Sequence, residues 1–152
     1  MNYTSPEEFN KIWNKPVIRV GMTTVLLAVL FSFAPVVWLC ISQRVLPPIG
    51  QILQSWALVA ASFGALYIVE PISYYSVLGL SGTYLSFLSG NIGNMRVPCA
   101  AMALEATNTT PGTQQAEVVS TLGITGSILV NIFFTTLAAF IGAALILSLI
   151  HI

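Results

Sequence analysis

Long apolar runs alternate with short polar or proline-containing segments along most of this sequence. Runs of about 20 apolar residues are typical of helices that cross a lipid bilayer. The pattern predicts an all-α polytopic membrane helix bundle of about four spans, one or two of them broken. Residues 1–152 would form a single membrane domain, with spans at about 17–42, 51–70, 76–106 and 118–150.

The segment before the first apolar run has its own pattern. Ser-Pro-Glu-Glu at 5–8 matches a helix-capping box with proline at the first helical position. Phe9, Ile12 and Trp13 then fall on one helical face. These features predict an amphipathic helix at 1–16 that lies in the membrane interface. Further on, Pro35 predicts a kink near Ala34 in the first span.

Two other spans carry signs of interruption. The second should end at Glu70–Pro71, because proline disfavours helical geometry in the residue before it. A straight helix over 76–106 would be roughly 45 Å long, against a hydrocarbon core of roughly 30 Å. Glycine, asparagine and proline near its middle predict a helix broken near 90–98.

Composition and charge narrow the classes of function. Hydrophobic residues make up 56% of the chain and charged residues only 7%, too few to cover a soluble globule, and the net charge is zero. A nucleic-acid partner is therefore not expected. Lys11, Lys15 and Arg19 precede the first span and predict a cytoplasmic N-terminus. Four crossings would return the C-terminus to that side, in a membrane that is predicted to be the bacterial cytoplasmic membrane.

The reactive side chains give no indication of an enzyme. Cys40 and Cys99 lie in apolar stretches and are expected to be free thiols, and the single histidine is His151. No metal site and no cofactor are predicted. Glu117 with Ser120 has no neighbouring base that would activate the hydroxyl, so no catalytic residue is assigned.

The polar stretch inside the third span is the strongest candidate for a binding site. An arginine near the bilayer centre costs about 2.5–3.5 kcal/mol on insertion scales, unless it faces a water-filled path or pairs with an acid. Glu70 and Glu105 are the acids expected to pair with it or to couple an ion. In the alternative, 91–96 is an interfacial loop with Arg96 at the headgroups, within five shorter crossings or a re-entrant hairpin. The predicted substrate-binding residues are Gly90, Asn91, Gly93, Asn94 and Arg96.

Weaker candidates lie elsewhere in the spans. Glu70 fits an interfacial position at least as well as a coupling role. Asn131 and Thr135 could line a pore or hydrogen-bond between helices. Segments 78–85 and 122–129 share the order Leu-Gly-apolar-hydroxyl-Gly-hydroxyl-apolar-Leu. They would begin antiparallel helices if they formed an inverted repeat, whereas their glycines alone would serve close helix packing.

Glu70–Pro71, the Leu-Gly-Leu-Ser-Gly stretch at 78–82, and Gly90–Asn91 with Asn94 and Arg96 resemble the nucleoside-recognition (gate) type of small bacterial inner-membrane proteins. The resemblance covers about 65–140 and implies a paired half-transporter. The Gly-Asn-Ile-Gly-Asn-Met-Arg segment departs from that family's spacing, so the resemblance implies no particular substrate.

These observations predict a subunit of an oligomeric membrane transporter or channel for a small polar or anionic solute. A bundle of four helices is too thin to enclose a solute path. The expected partners are therefore the lipid bilayer, a small solute or ion, and either further copies of the chain or a second membrane subunit. The alternative is a non-transporting scaffold or regulatory subunit of a larger complex.

Overall fold

The computed structural model describes residues 5–150, apart from the side chains of 143–145 and 147–150, so His151 lies outside it. Within this range every regular element is helical, which confirms the all-α part of the predicted fold class. The elements are α1 (Pro6–Phe9), a π-helical turn (Asn10–Asn14), α2 (Lys15–Ser32), α3 (Ala34–Gln43), α4 (Ile49–Ser89), a second π-helical turn (Ile92–Arg96), α5 (Val97–Ala106) and α6 (Gln114–Ile150).

Among the described residues, three helical stretches are long and apolar enough to cross a membrane: Pro6–Gln43, Ile49–Ser89 and Gln114–Gly142. The predicted count of four spans is not confirmed. The region expected to form the third span is divided between the end of α4, a turn and α5, which is only 10 residues long.

The N-terminal helix begins as its sequence indicates. The hydroxyl of Ser5 caps α1 by accepting a hydrogen bond from the N–H of Glu8 at 3.3 Å. However, α1 continues through the first π-helical turn directly into α2, so it is continuous with the first apolar helix. The regular helix is interrupted at Phe33, with φ −82° and ψ −15°, and Pro35 occupies the first turn of α3; this interruption lies beside the predicted kink near Ala34.

Helix α4 corrects the predicted end of the second span. It does not stop at Glu70–Pro71 but remains helical through Pro71 as far as Leu78, and it resumes after Gly79 to end at Ser89. A proline removes one backbone donor, and in an apolar environment that loss costs less than unwinding, which would leave several polar groups unpaired. The non-helical residue is Gly79, with φ +69° and ψ −172°. Only glycine adopts this conformation readily.

Residues 80–106, which we call the hairpin, pack against the first half of α6. Its first arm is the end of α4. Ser81, at the start of this arm, contacts Glu117, and Ser89, at its end, shares the hydrogen-bond donor Arg96 with Ser127. The pairs advance together, so this arm runs parallel to α6. The second arm is α5, which runs antiparallel to α6. The buried apolar cluster where α4, α5 and α6 meet consists of Leu78, Ala100 and Ile124.

The similar segments 78–85 and 122–129 therefore lie side by side and run in the same direction. The expectation that they begin antiparallel helices is wrong, because the chain reverses its course within the hairpin between them. Their glycines do provide close packing. A Cβ atom added to Gly82 would lie 2.6 Å from Cδ1 of Ile124, and one added to Gly123 would lie 2.8 Å from Cβ of Ala103.

Candidate functional site in the hairpin

Glu117, in the first turn of α6, lies against the start of the hairpin's first arm. Its Oε2 accepts a hydrogen bond from the N–H of Leu80 at 2.8 Å. Its Oε1 accepts from the N–H and the hydroxyl of Ser81, at 2.7 and 2.9 Å. The break at Gly79 exposes these N–H groups, as at any helix start, and a carboxylate there also interacts favourably with the helix dipole. Glu117 thus caps a helix that lies 36 residues earlier in the chain.

Helix α6 lies close to this break, through Ser120 as well as through Glu117. The hydroxyl of Ser120 donates to the carbonyl of Leu78 at 3.0 Å. A Cβ atom on Gly79 would collide with the carboxylate of Glu117. A polar crevice of about 140 Å³ lies beside the contact and is lined by Tyr75, Ser76, Gly79, Thr113, Glu117 and Ser120.

Sequence reasoning missed this role of Glu117. The predicted spans at 76–106 and 118–150 leave Glu117 in the connection between them, whereas α6 begins at Gln114 and Thr113 caps it, accepting from the N–H of Ala116 at 3.1 Å. The available signal was Thr113 with an acidic residue soon after it, a common pattern at a helix start.

The side chain of Arg96, the last residue of the second π-helical turn, contacts the other end of the same arm. The residue is 0% exposed. Its Nε donates to the hydroxyl of Ser89 at 2.9 Å, and its NH1 donates to the hydroxyl of Ser127 at 2.8 Å. NH2 makes a longer contact with the carbonyl of Ser89, at 3.5 Å. The guanidinium thus lies at the C-terminal end of a helix, where a positive charge is favourable.

The predicted acidic partners of Arg96 are corrected by these contacts. All three hydrogen bonds of Arg96 go to uncharged oxygens, and among the described residues neither Glu70 nor Glu105 pairs with it. Glu105 is exposed on α5 and Glu70 is half-buried on α4, before the break. The guanidinium donates to two serine hydroxyls and to a backbone carbonyl at a helix end, and not to the carboxylate that the sequence predicts.

The position of Arg96 along the length of α6 follows from its contact with Ser127. Ser127 lies roughly 20 Å along the helix from Gln114, close to the midpoint of the apolar stretch Gln114–Gly142. Each arm of the hairpin has about ten residues and is roughly 15 Å long, about half of the roughly 30 Å hydrocarbon core.

The turn between the two arms is the hairpin tip, residues 90–95. Gly90 has φ +68° and Asn91 has φ +54°, so both adopt the left-handed region that a tight reversal needs. Asn91, Gly93 and Asn94 are exposed, and Gly90 is half-buried. The π-helical turn Ile92–Arg96 then leads into α5. The predicted binding residues therefore divide into an exposed tip and a buried Arg96 behind it.

The remaining candidates lie away from this site. Asn131 is half-buried one turn beyond Ser127, and Thr135 is exposed further along α6. Neither makes a side-chain hydrogen bond to another described helix that would join it to the hairpin.

Comparisons with protein-family models, characterised proteins and solved structures find no match for this chain. The resemblance to the gate-type proteins therefore stays a prediction from its motifs, and the functional argument depends on the geometry of the hairpin.

Proposed function

We propose that the chain is a subunit of an oligomeric membrane transporter or channel for a small polar or anionic solute. The observation that carries this proposal is Arg96. It is fully buried at the level of the middle of an apolar helix, has only uncharged partners, and lies behind a polar, exposed tip. A charged residue in such a position is costly, and functional demand is the usual reason that it is retained.

In this proposal the three apolar helices cross the membrane and the hairpin is re-entrant. Its arms enter from the side of α1 and the 107–113 loop and return to that side, so the tip reaches about half the depth of the bilayer. Helix α4 ends its crossing near Gly79, where Glu117 satisfies the first N–H groups of the next arm. Irregular backbone at such a depth is tolerated where it is enclosed by protein or lines a water-filled cavity.

The charge of Arg96 supports a solute of negative or polar character. A guanidinium has five N–H donors, and the three hydrogen bonds leave two of them without a described partner. Neutral partners do not cancel its charge, and in a medium of low dielectric constant the resulting potential extends to the neighbouring tip. Asn91 and Asn94 would offer amide donors and acceptors to a solute there.

The exposure of the tip supports an oligomer. Asn91 and Asn94 would be in contact with acyl chains if the chain stood alone at this depth, and an unpaired amide in an apolar medium is unfavourable. Further copies of the chain, or a second membrane subunit, would enclose the tip and border the path. The implied half-transporter arrangement of the gate-type proteins agrees with this proposal.

Measurement of solute flux across proteoliposome membranes tests the proposed transport function. The purified chain is reconstituted, and chloride efflux and uridine uptake are measured for the unaltered protein, for Asn94→Leu and for Gln54→Leu. Both altered side chains are exposed in the structure, so neither substitution should prevent folding. Asn94→Leu should lower flux at least tenfold, while Gln54→Leu, far from the tip, should leave flux unchanged.

Equal flux for Asn94→Leu and the unaltered protein, with normal oligomers, would contradict the role of the tip. A chain that moves neither probe but co-purifies with another membrane protein would contradict transport and favour the scaffold alternative.

A further inference from the structure

A groove between α2 and the first arm of the hairpin runs along the outside of the bundle. Its walls are Val17, Val20 and Gly21 on α2, and Tyr84, Leu85 and Leu88 on α4. We call this the α2 groove. Its volume is about 430 Å³, and its lining is almost entirely apolar.

The length of the α2 groove matches one leaflet of a bilayer. Its lining begins at Trp13 and reaches Thr24, which is roughly 16 Å along a helix. Half of a hydrocarbon core of roughly 30 Å is roughly 15 Å. The Trp13 end lies on the side of the 107–113 loop, since Pro6 and Thr110 border a common crevice there.

Trp13 closes the polar end of the groove, and its indole N–H has no hydrogen-bond acceptor among the described residues. Its indole lies in the π-helical turn Asn10–Asn14 and stacks on Phe9, with ring centroids 6.2 Å apart. Its Nε1 is buried and has no hydrogen-bond partner among the described residues. A buried donor of this kind usually has an acceptor, from the protein or from a bound molecule.

The charges around this end are mainly positive. Lys11, Lys15 and Arg19 are exposed at this end of the helix, but they lie on the side opposite the residues that line the groove. Glu7 and Glu8 lie further out, at the start of α1. Glu117 also lies on this side, but its carboxylate is held by Leu80 and Ser81.

We infer that the α2 groove binds one acyl chain of an anionic phospholipid from the leaflet on the N-terminal side. The acyl chain lies between Val20 and Leu85, and an oxygen of the headgroup or glycerol region accepts from Nε1 of Trp13. The positive potential that the exposed lysines create at this end of the helix attracts the phosphate. This site is separate from the hairpin tip and does not depend on transport.

Fluorescence quenching tests the site directly, because the sequence has three tryptophans. Trp38 and Trp56 are 65% and 68% exposed, so replacing both with phenylalanine leaves Trp13 as the single emitter. This W38F/W56F protein is reconstituted in vesicles of phosphatidylcholine that contain either phosphatidylglycerol or further phosphatidylcholine with brominated acyl chains. At equal mole fraction, brominated phosphatidylglycerol should quench Trp13 at least twice as strongly.

Two further changes locate the headgroup and the acyl chain. Lys11→Gln with Lys15→Gln should make the two brominated lipids equivalent, whereas Arg44→Gln, at the other end of the helix, should not. Val20→Phe should lower quenching by both lipids, since Val20 is 61% exposed at the groove and can accept a larger side chain.

Equal quenching by the two lipids in the W38F/W56F protein would overturn the inference, because it would mean that Trp13 meets only bulk lipid. A preference for phosphatidylglycerol that persists without both lysines would overturn the proposed headgroup contact. Quenching that Val20→Phe leaves unchanged would overturn the placement of the acyl chain.

Discussion

Two single residues, Glu117 and Arg96, determine how the first arm of the hairpin is held. The acid accepts from the free N–H groups at the start of the arm, and the base donates to oxygens at its end. Each charge therefore opposes the helix dipole where the dipole is strongest. The two residues do not pair with each other, and the short helix between them interacts with both.

Replacing Glu117 with glutamine tests the capping interaction. The amide keeps one acceptor oxygen but loses the second oxygen and the charge, so Leu80 and Ser81 must share what remains. We expect a loss of about 1 kcal/mol in the free energy of unfolding, measured by denaturation in detergent micelles. Glu105→Gln is the matched control, because Glu105 is exposed; an equal loss in both variants would argue against capping.

The contact between Arg96 and Ser127 can be measured by a double-mutant cycle. Arg96→Ala, Ser127→Ala and the double variant should give a coupling energy of about 1.5–3 kcal/mol, as expected for a hydrogen bond to a charged group. The same cycle with Thr125→Ala should be additive, since the Thr125 hydroxyl bonds to the carbonyl of Thr121 within α6. A coupling below about 0.5 kcal/mol for Ser127 would contradict the contact.

The sequence was informative about Arg96 and uninformative about its partners. An arginine surrounded by apolar residues, glycines and asparagines is conspicuous. Serine hydroxyls are not, because they are common in membrane helices, and Ser127 lies 31 residues away from Arg96. Acids were expected as partners since only they balance a charge; the structure instead uses hydroxyls and a helix end. The predicted start of the last span, at 118, lies four residues after the observed start of α6 at Gln114, so the prediction leaves Glu117 outside the helix.

At the scale of the element, Gly79 controls the path of α4. Proline and glycine both weaken helices, and from sequence alone Pro71 has the stronger local effect. Tertiary contacts decide otherwise. At Gly79 the N–H groups that a break releases have a ready acceptor in Glu117, whereas no side-chain hydrogen bond of the described residues serves a break at Pro71. Such a difference depends on the fold and cannot be inferred from the local sequence.

The substitution Gly79→Ala tests whether Gly79 determines where α4 breaks. An alanine would need a left-handed φ of +69°, and its Cβ would collide with the carboxylate of Glu117. The strain of such a backbone is about 1–3 kcal/mol, and displacement of the carboxylate adds to it. We expect lower thermal stability and faster proteolysis within the hairpin.

Gly64→Ala is the matched control in the same helix. A Cβ there meets nothing within 4 Å, so stability should be unchanged or should rise by up to about 1 kcal/mol. Similar losses at both positions would mean that Gly79 has no special conformation.

At the scale of the whole molecule, the number of crossings fixes which segments share a side of the membrane. Four spans would place the 107–113 loop opposite the N-terminal segment. Three spans and a re-entrant hairpin place this loop on the same side, where Pro6 and Thr110 border one crevice. The 44–48 turn and the end of α6 then lie on the other side, so this arrangement differs from the prediction that the chain returns to the N-terminal side. Lys11 and Lys15 favour a cytoplasmic location for the first side.

Cysteine labelling in intact cells distinguishes the two arrangements. In a Cys40→Ser, Cys99→Ala background, single cysteines replace Glu8, Thr110 or Val45, all of which are exposed. A membrane-impermeant maleimide should label Val45→Cys from outside. It should label Glu8→Cys and Thr110→Cys only after the membrane is permeabilised. Labelling of Thr110→Cys from outside would restore the fourth crossing, with residues 80–106 passing through the membrane as one broken span and not as a re-entrant hairpin. If Glu8→Cys and Thr110→Cys are both labelled only after permeabilisation, the result supports the re-entrant hairpin, in which Arg96 is buried near the middle of the membrane.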